Sequence, residues 1–209
     1  MKRVSLIIPV YNEESVLSIL YDRLCRLMDS MTQYEWELLF VNDGSTDTSA
    51  QLINDFMVHD RRVAVVELSR NFGKEAAMLA GFDYVTGDCA VIMDADLQHP
   101  PEMIPEMLQY WEDGYDDVYA RRRARGDGSK VRKAFSRLFY KILQQASIIV
   151  VLPDVGDFRL LDRKCIDTQR TLREQCRYTK GLYAWIEYKK KEVVCDQQER
   201  AAGKSKWNF

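Results

Sequence analysis

Histidine is nearly absent from this sequence. His59 and His99 are the only two in 209 residues, which excludes histidine-rich metal chemistry. The five cysteines (Cys25, Cys89, Cys165, Cys176 and Cys195) are scattered, with no CxxC spacing. Neither a zinc site nor a disulfide framework is expected, and the pattern fits a reducing cytosol. No apolar run exceeds five residues, as in Ile148–Leu152, whereas a membrane-spanning helix needs about 20. The N-terminus passes from Lys2 and Arg3 through a short apolar stretch to Pro9, so no secretory signal is expected. No GxGxxG follows the first apolar run and no GxxxxGK[ST] occurs. A dinucleotide-binding or P-loop site is therefore disfavoured. No internal repeat and no linker rich in Gly, Ser or Pro divides the chain, so residues 1–209 are expected to form one domain.

What is present is ordinary globular material, 46% hydrophobic and 30% charged, enough to build a core. The formal net charge of -2 conceals a division. Residues 1–120 carry 8 Lys+Arg against 22 Asp+Glu, and residues 121–209 carry 22 against 10. An acidic half and a basic half with different tasks are expected.

Short apolar runs alternate with helical periodicity. Strands are predicted at Val4–Val10, Leu38–Val41, Val63–Leu68, Cys89–Met93 and Asp117–Ala120. Helices are predicted at Glu13–Met31, Thr46–Phe56 and Ala76–Tyr84, with a fourth from Pro100-Pro101 to about Trp111. This order implies an α/β fold, a Rossmann-like, mostly parallel sheet flanked by helices. After Arg121 come a basic loop, a helix bearing Phe135, Leu138, Phe139 and Ile142 on one face, and a mixed α/β extension. That helix suits either core packing or an anionic membrane surface. Lys189-Lys190-Lys191 reads as a solvated face or turn.

In an open parallel sheet, ligands bind at the carboxyl ends of the strands. Those ends here carry PVYNEE (9–14), NDGSTD (42–47), SRNFGK (69–74) and DADLQ (94–98). Ser45, Thr46 and Asp47 fit turn and cap roles as well as binding roles. Asp94 and Asp96, separated by one residue, suit a hard cation that takes one or two carboxylates plus substrate phosphates. Between Arg121 and Lys141 stand nine basic residues against one acid, Asp127. Arginine forks suit phosphate oxygens. Nucleic acid is an equally generic partner for such a run, but the acidic half and the lack of interleaved aromatics before Phe135 count against it.

Together the segments PVYNE (9–13), NDGSTD (42–47), RNFGKE (70–75), DADLQHPPE (94–102), GDFRL (156–160) and ERAAGKSKW (199–207) resemble the inverting family 2 glycosyltransferases. The resemblance is to their polyprenyl-phosphate branch, which includes dolichol-phosphate mannose synthases and bactoprenol glucosyltransferases. GDFRL with the RAAGKSKW ending is most like the bactoprenol group. The resemblance implies a GT-A fold, a nucleotide-sugar donor with UDP-glucose as the first choice, Mg2+ or Mn2+, and undecaprenyl phosphate as acceptor. By the family pattern Pro9, Tyr11, Glu13 and Asp43 would hold the nucleoside, and Asp94 the ribose or donor. Lys74 also falls to the donor. Asp94, Asp96 and Gln98 would hold the metal. Arg200, Ser205 and Lys206 would close over the donor phosphates, and Arg122, Arg132 and Ser136 would hold the acceptor phosphate. Asp157 stands at the position of the proposed catalytic carboxylate, with Asp96 beside it in the catalytic set. Family members usually continue into C-terminal transmembrane helices, whereas this sequence stops at Phe209. The implied location is the cytoplasmic face of the inner membrane, peripheral, or integral if the native chain continues. Self-association is common among homologues with membrane segments, which leaves a homo-oligomer open. Two other readings stay open: a non-catalytic sugar-nucleotide scaffold, and transfer to a sugar hydroxyl, although the QxxRW segment of many such enzymes is missing.

Overall fold

The computed structural model describes residues 1–122, 155–174 and 178–195. The predicted helix after the basic loop, with Arg132 and Ser136, lies outside the described residues, as do Arg200, Ser205 and Lys206.

Seven strands form one sheet among the described residues. They are β1 (Lys2–Val10), β2 (Tyr34–Asn42), β3 (Val63–Glu67), β4 (Cys89–Ile92), β5 (Asp117–Arg122), β6 (Val155–Asp162) and β7 (Lys190–Cys195). The order across the sheet is β3-β2-β1-β4-β6-β5-β7. Pairing is parallel from β3 through β2 and β1 to β4, and again between β5 and β7. Strand β6 runs antiparallel to both of its neighbours.

Among the described residues six α-helices accompany the strands: α1 (Glu14–Ser30), α2 (Ser49–His59), α3 (Lys74–Tyr84), α4 (Ile104–Glu112), α5 (Arg163–Thr171) and α6 (Thr179–Trp185). Alternation along β1 assigns them to faces. Val4, Leu6, Ile8 and Val10 point to the side where α1 contributes Val16, Leu17, Leu20, Leu24 and Met28, α2 contributes Ile53, and α4 contributes Ile104, Met107, Leu108 and Trp111. Ile7 points the other way, to Ala77, Met78 and Phe82 of α3 and to Cys165 and Ile166 of α5. Each fully buried aliphatic side chain contributes roughly 1.5–3 kcal/mol, so both faces of the sheet are firmly covered. The α3 face is drawn close by Gly81, where a Cβ would come within 2.4 Å of Ile7 Cγ2.

The sequence pattern misplaced several boundaries. Strand β2 begins four positions before the predicted Leu38, because Tyr34–Glu37 pair with Lys2–Ser5 although they alternate poorly. Helix α2 begins at Ser49 and not at Thr46, because the residues before it are used to join two loops, as described below. Lys189 is exposed, but Lys190 and Lys191 lie half-buried in β7, not on the expected solvated face or turn, and Lys190 Nζ donates to the Tyr183 carbonyl at 2.8 Å.

The chain runs β1, β2, β3 outward in one direction, then returns through α3 to place β4 on the other side of β1. The switch point therefore lies between β1 and β4, which is where such sheets bind ligands. Because β6 is antiparallel, its amino end reaches the same edge as the carboxyl ends of β4 and β5.

Candidate active site

The β1–α1 and β2–α2 loops are fastened together. Asn12 holds a left-handed backbone (φ 54), which asparagine tolerates better than most residues. Its Oδ1 accepts from the backbone N–H of Thr46 at 2.7 Å and of Asp47 at 3.3 Å. In return, the N–H groups of Asn12 and Glu13 donate to Ser45 Oγ and Ser49 Oγ at 3.0 and 2.9 Å. Ser45, Thr46 and Asp47 thus serve the loop itself. Tyr11 and Glu13, expected at the nucleoside, stand half-buried beside this junction, and Pro9 lies in β1 opposite Val41. The signal for this role in the sequence is the tolerance of asparagine for positive φ at the turn after β1.

Asp43 follows β2 and is buried. Its two oxygens accept from the N–H groups of Phe72 and Gly73 at 2.8 and 2.9 Å, so it orders the loop entering α3. The loops approach so closely that only glycine fits at position 44. Its φ is +66, and a Cβ there would sit 2.4 Å from the Arg70 carbonyl carbon.

With that loop fixed, Lys74 begins α3 and its ammonium reaches two carboxylates. Nζ lies 2.5 Å from Asp94 Oδ1, just after β4, and 2.7 Å from Asp157 Oδ2, near the start of β6. Burial works against the charged lysine, but the two carboxylates outweigh it and raise its pKa above the usual range. Burial likewise opposes ionisation of Asp157, and Lys74, with help from Lys180, outweighs it and holds the carboxyl below the usual range. Its other oxygen, Oδ1, is buried without a hydrogen-bond partner among the described residues.

Asp96 is buried, and its Oδ1 accepts from the Gln98 N–H at 3.0 Å. Between them Leu97, a buried leucine, adopts φ 58. A bulky residue in this region is unusual, and such strain concentrates at functional sites. It bends the chain between Asp96 and Gln98, just beyond the end of β4. Gly156 and Phe158 flank Asp157 from below: His99 stacks on Phe158 with ring centroids 5.1 Å apart, and its ring atoms lie 3.6 Å from where a Gly156 Cβ would be.

Arg159, two residues along β6 and so on the same face as Asp157, is buried. Its Nη1 donates to Asp117 Oδ2 at 2.9 Å, and its guanidinium carbon lies 3.7 Å from the Tyr183 ring centre. The i, i+2 spacing within GDFRL puts Arg159 on the face of Asp157, but nothing local in the sequence marks Asp117 as its partner. Arg122 ends β5, placing its backbone on the same edge.

Among the described residues no group of three or more His, Cys, Asp or Glu could enclose a metal ion. Two carboxylates, Asp94 and Asp96, fit an ion that draws its remaining oxygens from a diphosphate and water. No helix among the described residues is long and apolar enough to cross a membrane.

The family model described as "Glycosyl transferase family 2" matches residues 5–169. A curated relative from Synechocystis, named "Uncharacterized glycosyltransferase sll0501", is 41% identical over 206 residues, 99% of this chain and 64% of the relative. The chain thus spans less than two thirds of that relative's length. The bactoprenol glucosyl transferase of Shigella phage SfX is 37% identical over 99% of this chain and 67% of its own. Among solved structures, the mannosyltransferase PcManGT from Pyrobaculum calidifontis in complex with GDP-Man and Mn2+ superposes with a TM-score of 0.65 and 18% identity, covering 94% of this chain and 56% of that one. At that identity the likeness shows the GT-A fold alone.

Proposed function

The chain belongs to glycosyl transferase family 2, and from that premise we propose that it transfers a sugar from a nucleoside diphosphate to the phosphate of a polyprenyl carrier. UDP-glucose is the donor proposed and undecaprenyl phosphate the acceptor. The observation that carries this reading is the meeting of Asp94, Lys74 and Asp157 on one edge, with Asp96 two residues after Asp94 in the chain. The acceptor class is supported by the phage relative, whose name specifies bactoprenol.

Donor binding falls to the loops at Tyr11, Glu13 and Asp43, with Asp94 toward the ribose. Asp94, Asp96 and Gln98 would hold Mg2+ or Mn2+, whose chemistry when bound is to neutralise the leaving diphosphate. Lys74 supplies fixed positive charge at the same place. Arg200, Ser205 and Lys206 are assigned to the donor phosphates, and Arg122, Arg132 and Ser136 to the acceptor phosphate. The nucleophile is a phosphate oxygen that attacks the anomeric carbon in line with the leaving group and inverts it.

A phosphate monoester has a second pKa of about 6, so it is mostly dianionic at neutral pH and needs no base to remove a proton. Asp157 suits that chemistry. With its pKa lowered beside Lys74, it is poorly matched to proton abstraction near neutrality and well suited to orienting the sugar or acceptor. The basic half of the chain supports docking at the cytoplasmic face of a membrane, where the lipid phosphate is presented.

The test is a panel of radiolabelled nucleotide sugars with undecaprenyl phosphate and Mg2+ or Mn2+, followed by organic extraction. Label from one donor in the lipid phase is expected. Binding of a nucleotide sugar without transfer would instead support a scaffold.

A further inference from the structure

Asp94 and Asp157 share a single ammonium, and their surroundings differ. The Asp157 side chain is 10% exposed, whereas that of Asp94 is 34% exposed. Among the described residues one buried oxygen of Asp157 has no hydrogen-bond partner, so its compensation there comes mainly through Lys74. Asp94, half-buried, is the more exposed of the two and the contact that can be exchanged. The flexible four-carbon stem of lysine lets the ammonium release one carboxylate while keeping the other.

We propose that Lys74 acts as a resident cation that withholds Asp94 from a divalent ion until a nucleoside diphosphate arrives, so that metal binding is conditional on the donor. This rests on the reading above that metal and diphosphate meet at this edge. An ion approaching Asp94 alone meets a carboxylate already neutralised and an ammonium that repels it. A diphosphate reverses that balance, because it brings negative charge that satisfies the ammonium and the ion together. Asp157 stays anchored by Lys74 throughout, which makes Lys74 a positioning residue for Asp157 as well as a gate for Asp94. The arrangement would keep the edge from filling with free metal, and would bind the ion only when there is a leaving group for it to neutralise.

The experiment is Mn2+ titration of the full chain at neutral pH, followed by loss of the free-ion electron paramagnetic resonance signal, with and without UDP. In the wild type, UDP is expected to tighten Mn2+ binding about tenfold or more. Lys74→Met is expected to bind Mn2+ alone about fivefold or more tighter than wild type, with a smaller increment from UDP. Lys74→Arg should behave as wild type. Mn2+ binding by Lys74→Met no tighter than wild type, with the UDP increment intact, overturns the gate and leaves the site reading standing. No UDP increment in the wild type overturns the site reading itself. Should Lys74→Met lose its folded thermal transition, Asp157→Asn serves instead. It leaves the whole ammonium charge to Asp94 and is expected to weaken Mn2+ binding without UDP; tighter binding there overturns the proposal.

Discussion

Lys74 and Asp157 stand 83 positions apart in the chain and meet at 2.7 Å. Their contact joins the start of α3 to the start of the antiparallel strand β6, and it sets the character of the carboxylate at the centre of the site.

Because Lys74 holds the Asp157 pKa below the usual carboxylate range, Asp157 is ionised throughout the neutral range and is not poised as a base. Asp157→Asn is therefore expected to lower kcat by about 10²-fold through misplacement without changing the shape of the pH–rate profile. Both proteins should share one limb, rising to about pH 6 as the acceptor phosphate loses its second proton. A unit-slope limb below pH 7 in wild type that vanishes in Asp157→Asn would identify a true base and contradict this role.

Asp96 provides one of the two carboxylates assigned to the metal. Asp96→Ala is expected to abolish the dependence of donor binding on Mn2+, read by calorimetry with and without EDTA. Donor affinity that keeps its full Mn2+ dependence would remove Asp96 from the metal site.

Much of this was legible in the residues. The strand–helix alternation gave the parallel half of the sheet, and the polar strand ends located the edge, because both are local signals of period and turn chemistry. The direction of β6 was not legible, since a buried strand reads alike in either orientation. The Lys74–Asp157 pair and the Arg159–Asp117 pair depend on that direction, so neither appears in any local pattern. The roles of Ser45, Thr46 and Asp47 were ambiguous because turn, cap and ligand duties call on the same side chains; here Ser45 Oγ accepts from the Asn12 N–H, Thr46 Oγ1 donates to Asn12 Oδ1, and the Asp47 carboxylate accepts from the N–H groups of Glu14 and Ser49.

Arg159 and Asp117 form a buried ion pair between neighbouring strands, with Tyr183 against the guanidinium. Burial pushes the Asp117 pKa up despite Arg159, so desolvation is not fully repaid. Arg159→Leu is expected to cost about 3–5 kcal/mol by leaving Asp117 buried without its partner. The double change Arg159→Leu with Asp117→Leu should cost clearly less than the sum of the single changes. Urea denaturation of the four proteins measures this, and additivity would show that the pair is not coupled.

Asp60, after α2, accepts from the N–H and guanidinium of Arg62 and from Tyr21 Oη. Arg62 chiefly holds its pKa below the usual range. A carboxyl lowered in the folded state stabilises above its unfolded pKa of about 3.9. That contribution is lost as pH falls through the folded value. Asp60→Asn should therefore cost about 1.5–3 kcal/mol at pH 7, and the deficit should shrink below pH 4. A deficit that is constant from pH 7 to pH 3 would show that the charge of Asp60 contributes nothing.

The central claim is that a lipid phosphate receives the sugar. The most direct measurement compares undecaprenyl phosphate with undecaprenol under one labelled donor and Mn2+, counting label in the organic phase. The account predicts transfer to the phosphate, none to the alcohol, and loss of transfer with EDTA. Equal transfer to undecaprenol, or none to either lipid from any nucleotide sugar, would contradict it.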